Sequence, residues 1–288
     1  MAGIQWTGGK CHGSGEAKAL LRHNDRDQRM QHEHSNPDID TTLTHLNFSV
    51  FNKSYFMKIQ KYDHLMETVK CKRKSSGKNS TVTMQDLVIY CPEGMMDEET
   101  GEYDYEQVCA WFKSIARMLK EKYGECFIDL DVHFDEVHMY VDPQTQKCLW
   151  SRVHGHASLV PAIPEVDDDG EPTGELVLNA KNFCTRGAIV DLNSKVHAMT
   201  LEQYGVPYMN GSKKKGKASV EDKKRDSAKA LAELEKQIAK REAELERRER
   251  EQQDLIVLGR RAKAQQLADG LVADKLDRSI TVRKLPNL

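Results

Sequence analysis

HFDEVHMYVDPQTQKCLWSRVHGHASLVP, residues 133–161, is the stretch whose pairing decides the fold. It opens with His133-Phe-Asp135-Glu136 and closes on His154-Gly-His156, with a turn sequence, Asp142-Pro-Gln-Thr-Gln-Lys147, between them. A hairpin with Asp142 opposite Lys147 sets His133 opposite His156 and Asp135 opposite His154. Opposed residues of an antiparallel pair point to one side, and residues two apart share a face. His133, Asp135, His154 and His156 are therefore expected on one patch of sheet, as a metal site. Imidazole and carboxylate together suit a divalent transition metal such as Mn2+, and Mg2+ more weakly. Strict alternation turns Glu136 to the other side. Either Asp135 is the carboxylate ligand, or a bulge at the strand end re-aims Glu136.

Working outward, residues 127–134 alternate: Ile128, Leu130, Val132 and Phe134 take one face, and Asp129, Asp131, His133 and Asp135 the other. Residues 105–123 carry Val108, Phe112, Ile115 and Leu119 at helical spacing, with Gly124 as a stop. Residues 87–91 form an apolar run bounded by Pro92 and Gly94, the pattern of a buried strand. Residues 186–204 form a second amphipathic helix through Ile189, Leu192, Val196 and Met199, ended by Gly205 and Pro207. Short strands are expected at 3–6 and 46–50, a short helix at 16–26 and an exposed acidic turn at 165–174, while 53–70 has no firm assignment. These elements define an α+β fold, a central antiparallel sheet flanked by helices, over residues 1–210. Residues 211–219 read as a basic linker. Residues 220–288 read as a charged helical tail, in which Leu231, Leu234, Ile238 and Leu245 follow a coiled-coil seam interrupted by Arg241, Arg248 and Gln252. A homodimer through residues 228–258 is the expectation.

Composition narrows the function classes. The net charge of −2 conceals an asymmetry, because residues 1–210 hold 22 basic against 31 acidic residues, a net −9. An acidic main domain argues against a broad electrostatic footprint on nucleic acid, so DNA contacts must come from local patches, a metal or the tail. Lys72, Arg73 and Lys74, in a basic turn-rich loop, are the best phosphate-contact candidates in that domain. Seven scattered cysteines without a CxxC pair point to a reducing, cytoplasmic setting rather than a disulfide scaffold. No apolar run approaches the ~20 residues of a membrane span.

A second constellation lies upstream: Arg22-His23-Asn24-Asp25-Arg26, then Asn36, Asp40 and Asn47. The like charges of Arg22 and Arg26 favour a neutral His23 imidazole, which can serve as nucleophile or base. HNDR, N-x-x-I-D and T-x-x-N, followed by H-x-D-E and H-x-H-x-x-x-V-P, resemble the Mob/Pre (MobV-type) plasmid mobilisation relaxases of the HUH endonuclease superfamily. The resemblance spans roughly residues 16–205.

It implies nicking of one DNA strand at an origin of transfer, with the protein becoming attached to the 5′ phosphate. The nucleophile would be His23, with Arg26 binding the scissile phosphate or steadying the nucleophile. The metal ligands would be His133, Glu136, His154 and His156, with Asp135 adjacent. Arg22 and Asn24 would contact DNA, and Asn36, Asp40 and Asn47 would order the site. Conjugation coupling machinery is an implied partner. A rolling-circle replication initiator with the same chemistry, or a non-catalytic DNA-binding regulator of the same fold, are the alternative outcomes. The chain departs from the family pattern in two ways: 17 residues, 137–153, separate the two metal motifs, and residues 1–210 are acidic on balance. His138 could replace one of the later histidines, and Tyr55, Tyr62 and Tyr204 remain nucleophile candidates, since tyrosine is usual in the superfamily.

Overall fold

A computed structural model describes residues 10–29, 38–71, 81–92, 94–142, 145–183, 185–208 and 220–282. The strand expected at 3–6, Asn36, the basic triplet Lys72, Arg73 and Lys74, and the linker 211–219 lie outside the described residues. The chain divides into two units, Met1–Ser227 and Ala228–Leu288.

The first unit is built on a five-stranded antiparallel sheet in the order β1-β3-β7-β4-β2. The strands are β1 (Lys10–Cys11), β2 (Phe48–Ser49), β3 (Met84–Tyr90), β4 (Phe127–His133) and β7 (His154–Leu159). The helices over this sheet are α1 (Ser14–Asn24), α2 (Arg26–Arg29), α3 (Tyr55–Thr68), α4 (Tyr105–Tyr123), α5 (Ala180–Phe183) and α6 (Arg186–Tyr204). Two hairpins stand apart from the main sheet, β5 (Met139–Val141) with β6 (Cys148–Trp150), and β8 (Ala162–Val166) with β9 (Pro172–Leu178). The second carries the acidic turn at its tip, as its composition predicts.

Each sheet face has its own core. Leu87, Ile89, Leu130, Val132, Ala157 and Leu159 pack with Val108, Trp111, Phe112, Ile115 and Leu119 of α4 and with Leu192 and Val196 of α6. On the opposite face Ala17 and Leu21 of α1 and Tyr62 and Leu65 of α3 pack on Met84 and Ile128. Both long helices begin where a side chain satisfies an orphan amide, Asp104 accepting from Gln107 N (3.0 Å) and Thr185 from Ala188 N (3.1 Å). They end at Gly124 and Gly205, the latter left-handed at φ 69°. The Trp111 indole donates to Thr200 Oγ1 at 2.9 Å and ties α4 to α6. Residues 53–70, unassigned from sequence, form α3. Its buried stripe, Tyr55, Lys58, Tyr62 and Leu65, has helical spacing but includes a lysine, which hides the apolar periodicity.

Two register expectations need correction. The outer hairpin pairs as its turn dictates, Val141 with Cys148 and Met139 with Trp150, and Asp142 N donates to the Lys147 carbonyl at 2.9 Å. At its root the register is shifted by two residues: His133 faces His154 and Asp131 faces His156. Residues 134–138 oppose only 151–153, and the surplus is taken up in a turn in which Val137 N reaches the Phe134 carbonyl (3.4 Å). An even shift preserves side-chain alternation, so the histidines stay on one face. The second correction concerns Ile128. An irregularity between Phe127 and Asp129 turns it to the α1/α3 side, away from Leu130 and Val132.

In the tail, α7 (Val220–Val282) is one continuous helix. Leu231, Ile238, Leu245 and Leu255 are exposed along it, and Arg248–Glu244 (2.7 Å) and Arg250–Glu246 (3.2 Å) form i,i+4 pairs. Among the described residues no helix is long and apolar enough to cross a membrane.

Candidate metal centre

β4 and β7 are central neighbours in the sheet, and their paired ends bring three imidazoles together. The His133, His154 and His156 ring centroids lie 4.9–5.6 Å apart, and one potential ligand atom from each falls within 4.8 Å of the others. His133 is fully buried, while His154 and His156 are partly exposed at the open side. Gly155, between the two β7 histidines, faces the α4 side. A Cβ there would meet Leu130 Cδ1 at 2.9 Å and Phe112 Cε1 at 3.1 Å. The sequence His-Gly-His therefore lets the strand press on the core while presenting both imidazoles to the other face.

The turn at 134–138 settles where the two carboxylates go. Glu136 is swung to the histidine side, with Oε1 3.4 Å from His133 Nδ1 and Oε2 3.5 Å from His154 Nε2. Burial would raise its pKa, but the hydrogen bonds and charges of His133 and His154 hold it well below the usual carboxylate range. Asp135 is fully buried and is also within reach of a metal shared with His133 and Glu136. One of its oxygens accepts from Thr44 Oγ1 at 2.9 Å. Asp40 N donates to the Asp135 carbonyl (2.7 Å), and Asn47 Oδ1 accepts from Phe134 N (2.7 Å) and Asp135 N (3.3 Å). Asp40 and Asn47 thus brace the turn from outside.

Each histidine uses one ring nitrogen on a supporting group. His133 Nε2 lies 3.0 Å from the Asn24 carbonyl, His154 Nδ1 3.4 Å from the Arg152 carbonyl, and His156 Nδ1 2.5 Å from Asp86 Oδ2. The other nitrogen of each is left to the centre. Imidazoles backed in this way, beside a carboxylate, are the donor set of a divalent transition-metal site, and these residues fit one. Burial would lower the His156 pKa, but the Asp86 carboxylate outweighs it and raises it above the usual value. Asp86 went unnoticed in the sequence. The signal was a lone acid inside the otherwise apolar strand MQDLVIY.

The HNDR segment ends α1 next to this centre. His23 sits in the last turn and is exposed, and Arg22 places its guanidinium 5.6 Å over the Tyr55 ring. Arg26 is exposed and pairs with Asp27 at 3.0 Å. Asn24, expected from the resemblance to contact DNA, is 1% exposed, and among the described residues neither its Nδ2 nor its Oδ1 has a hydrogen-bond partner. Its short side chain follows the inward-facing stripe of Ala17 and Leu21, so it belongs to the framework.

His138 is not drawn into the histidine cluster; its Nδ1 lies 3.0 Å from the Glu136 carbonyl. Of the tyrosines, Tyr62 is fully buried, Tyr55 is buried with its hydroxyl 3.4 Å from the Lys18 carbonyl, and Tyr204 packs against the α4/α6 core.

Beneath the histidines lies a buried polar layer that the sequence did not reveal. Lys58 of α3 is wholly buried, with Nζ 2.5 Å from Asp131 Oδ1, 2.8 Å from Asp25 Oδ2 and 2.8 Å from Ser49 Oγ. Burial alone would lower its pKa, but Asp131 and Asp25 more than offset this, so the ammonium stays charged.

The architecture is that of a relaxase domain. A solved structure of the MobM relaxase domain (MOBV; Mob_Pre), Mn-bound and with plasmid pMV158 oriT DNA of 22 nucleotides and a 3′ thiophosphate, matches at TM-score 0.51 and 20% identity over 78% of this chain and 97% of that one. A second, with 23 nucleotides of that DNA, matches at 0.50 and 20% over 79% and 97%. No curated protein matches the chain. The model of the Mob/Pre family, described as plasmid recombination enzyme, matches residues 9–225, and the chain belongs to this family.

Proposed function

We propose that this protein is a metal-dependent relaxase that nicks one DNA strand at an origin of transfer and stays attached to the 5′ phosphate, starting mobilisation of a plasmid or integrative element. The observation that carries the reading is the contact between the two motifs. The Asn24 carbonyl, one residue beyond His23, holds the ring of His133, a member of the three-histidine centre. Nucleophile and metal ligands are thereby built into one framework.

His133, His154 and His156, with Glu136, would hold Mn2+, or Mg2+ less firmly. The bound ion supplies charge neutralisation and polarisation of a phosphate. Asp86 and the Asn24 carbonyl fix the orientation of His156 and His133. The His23 imidazole nitrogen attacks the scissile phosphorus, a P–N bond forms, the P–O bond to the 3′ oxygen breaks, and that oxygen leaves as the 3′-hydroxyl with the proton given up by the other ring nitrogen of His23. The phosphoramidate keeps the bond energy available for rejoining, by reversal. Arg26 is assigned to the phosphate and Arg22 to the flanking strand. Asp40 and Asn47 keep the 134–138 turn in shape. Residues 1–210 form the nicking domain, 211–219 a linker and 220–288 the tail, with α7 pairing two copies and the conjugation coupling machinery as a partner.

The test incubates the protein and Mn2+ with supercoiled origin-bearing DNA. A relaxed form with protein on the 5′ end supports the reading. Nicking by His23→Ala at the wild-type rate overturns the assignment of the nucleophile.

A further inference from the structure

Lys58 has no place in the reaction as drawn, although it is a wholly buried charge. Its three amine protons meet three acceptors, and each comes from a different part of the fold: Asp25 beyond the end of α1, Ser49 of β2 and Asp131 of β4. Two of these acceptors are significant by position. Asp25 is two residues from His23 and also starts α2, accepting from Gln28 N at 3.1 Å. Asp131 is the register partner of His156 and precedes His133 by two on the same face. The chain of contacts therefore runs from the nucleophile segment through one ammonium to β4, the strand that carries His133 and pairs with the strand of His154 and His156.

This link lies beside the Asn24–His133 contact described above. One fastener fixes only the separation between α1 and β4; two fasteners at successive residues, Asn24 and Asp25, also fix the rotation of the α1 end about that point. A buried ion triad is a poor device for stability alone, because apolar residues of the same volume often serve as well or better. It is a good device for holding two backbones at one distance, since each hydrogen bond has a preferred length and direction.

We infer that Lys58 is a positioning residue that sets the placement of His23 relative to the metal centre. The inference rests on the relaxase reading for its catalytic consequence, and on geometry for the link itself. Displacing a reacting group by about 1 Å costs on the order of 100-fold in rate.

The experiment compares wild type with Lys58→Met, Lys58→Arg and Asp25→Asn, using the full chain. Asp25→Asn is the mild variant: it keeps the side-chain shape, removes the charge facing Lys58 and leaves one acceptor oxygen where Gln28 N and Lys58 Nζ use two, so it weakens only the α1 half of the link and decides the matter if Lys58→Met fails to fold. Three quantities are read: kcat and KM for nicking of an origin oligonucleotide, Mn2+ affinity by calorimetry, and Mn2+-induced broadening of the isotope-labelled His23 imidazole signals.

The inference predicts that Asp25→Asn lowers kcat about 10- to 100-fold while KM and Mn2+ affinity stay within about threefold, and that broadening of the His23 signal is reduced. Lys58→Arg, which keeps the charge and donors, recovers part of both. A folded Asp25→Asn with kcat and broadening equal to wild type overturns the inference. If wild type forms no covalent product, the relaxase reading fails; the broadening comparison then still decides whether Lys58 holds His23 in place.

Discussion

Asp86→Asn isolates the support of one metal ligand. The substitution keeps the side-chain shape and removes the charge that faces His156 Nδ1 at 2.5 Å. Loss of such an outer partner weakens metal binding by about 10- to 100-fold, or about 1.4–2.7 kcal/mol. The upper part of that range is expected, because Asp86 is buried and the contact is short. The pH dependence adds a second signature. In the metal-free protein His156 keeps its proton to a higher pH than an ordinary histidine, because Asp86 outweighs burial. The metal must displace that proton. Affinity is therefore full above the raised pKa and falls, by about tenfold per unit for one displaced proton, as pH drops through it. Without Asp86 the His156 pKa is lower and the fall starts at lower pH. The deficit of the variant should be largest near pH 8 and smaller near pH 6. Isothermal titration with Mn2+ at several pH values measures both. Equal affinity at pH 8 and an unchanged pH profile would refute the role given to Asp86.

Other outcomes follow from the same geometry. Glu136→Gln removes the carboxylate set between His133 and His154 and should weaken Mn2+ binding by at least about tenfold, whereas Asp135→Asn should change it by less than about threefold, both by calorimetry. Gly155→Ala forces a methyl against Leu130 and Phe112 and should lower unfolding free energy by about 1–3 kcal/mol in urea titrations. Leu245→Glu places a charge in the exposed seam of α7 and should convert a dimer to a monomer in light scattering; an unchanged mass would remove the tail as the dimer contact.

Much of the fold was legible because burial and periodicity agreed. The 105–123 and 186–204 helices have uninterrupted patterns, and their ends are marked by Asp104, Thr185 and two glycines, while β4 keeps its alternation only from Asp129 onward. The convergence of the histidines was also legible, since a two-residue register shift leaves faces unchanged. What escaped was chemistry that depends on tertiary partners. A turn of 134–138 against 151–153 cannot be read from alternation, so the choice between Asp135 and Glu136 stayed open. Lys58 interrupts the apolar stripe of α3 and concealed the helix, because its acceptors come from segments 33, 9 and 73 residues away. Asp86 is an acid in an apolar strand whose partner lies 70 residues downstream. The motif of Asn24 points to DNA, and its burial becomes visible only with the packing of α1.

The proposed mechanism makes His23 the nucleophile beside a metal held by His133, His154 and His156. Its most direct test is to trap the product with an origin oligonucleotide and Mn2+, digest it, and map the peptide–DNA adduct by mass spectrometry. A single acid-labile phosphoramidate on His23 is expected, lost when His154 and His156 are both changed to alanine. An adduct on a tyrosine, or one on His23 that persists undiminished in that double variant, would contradict it.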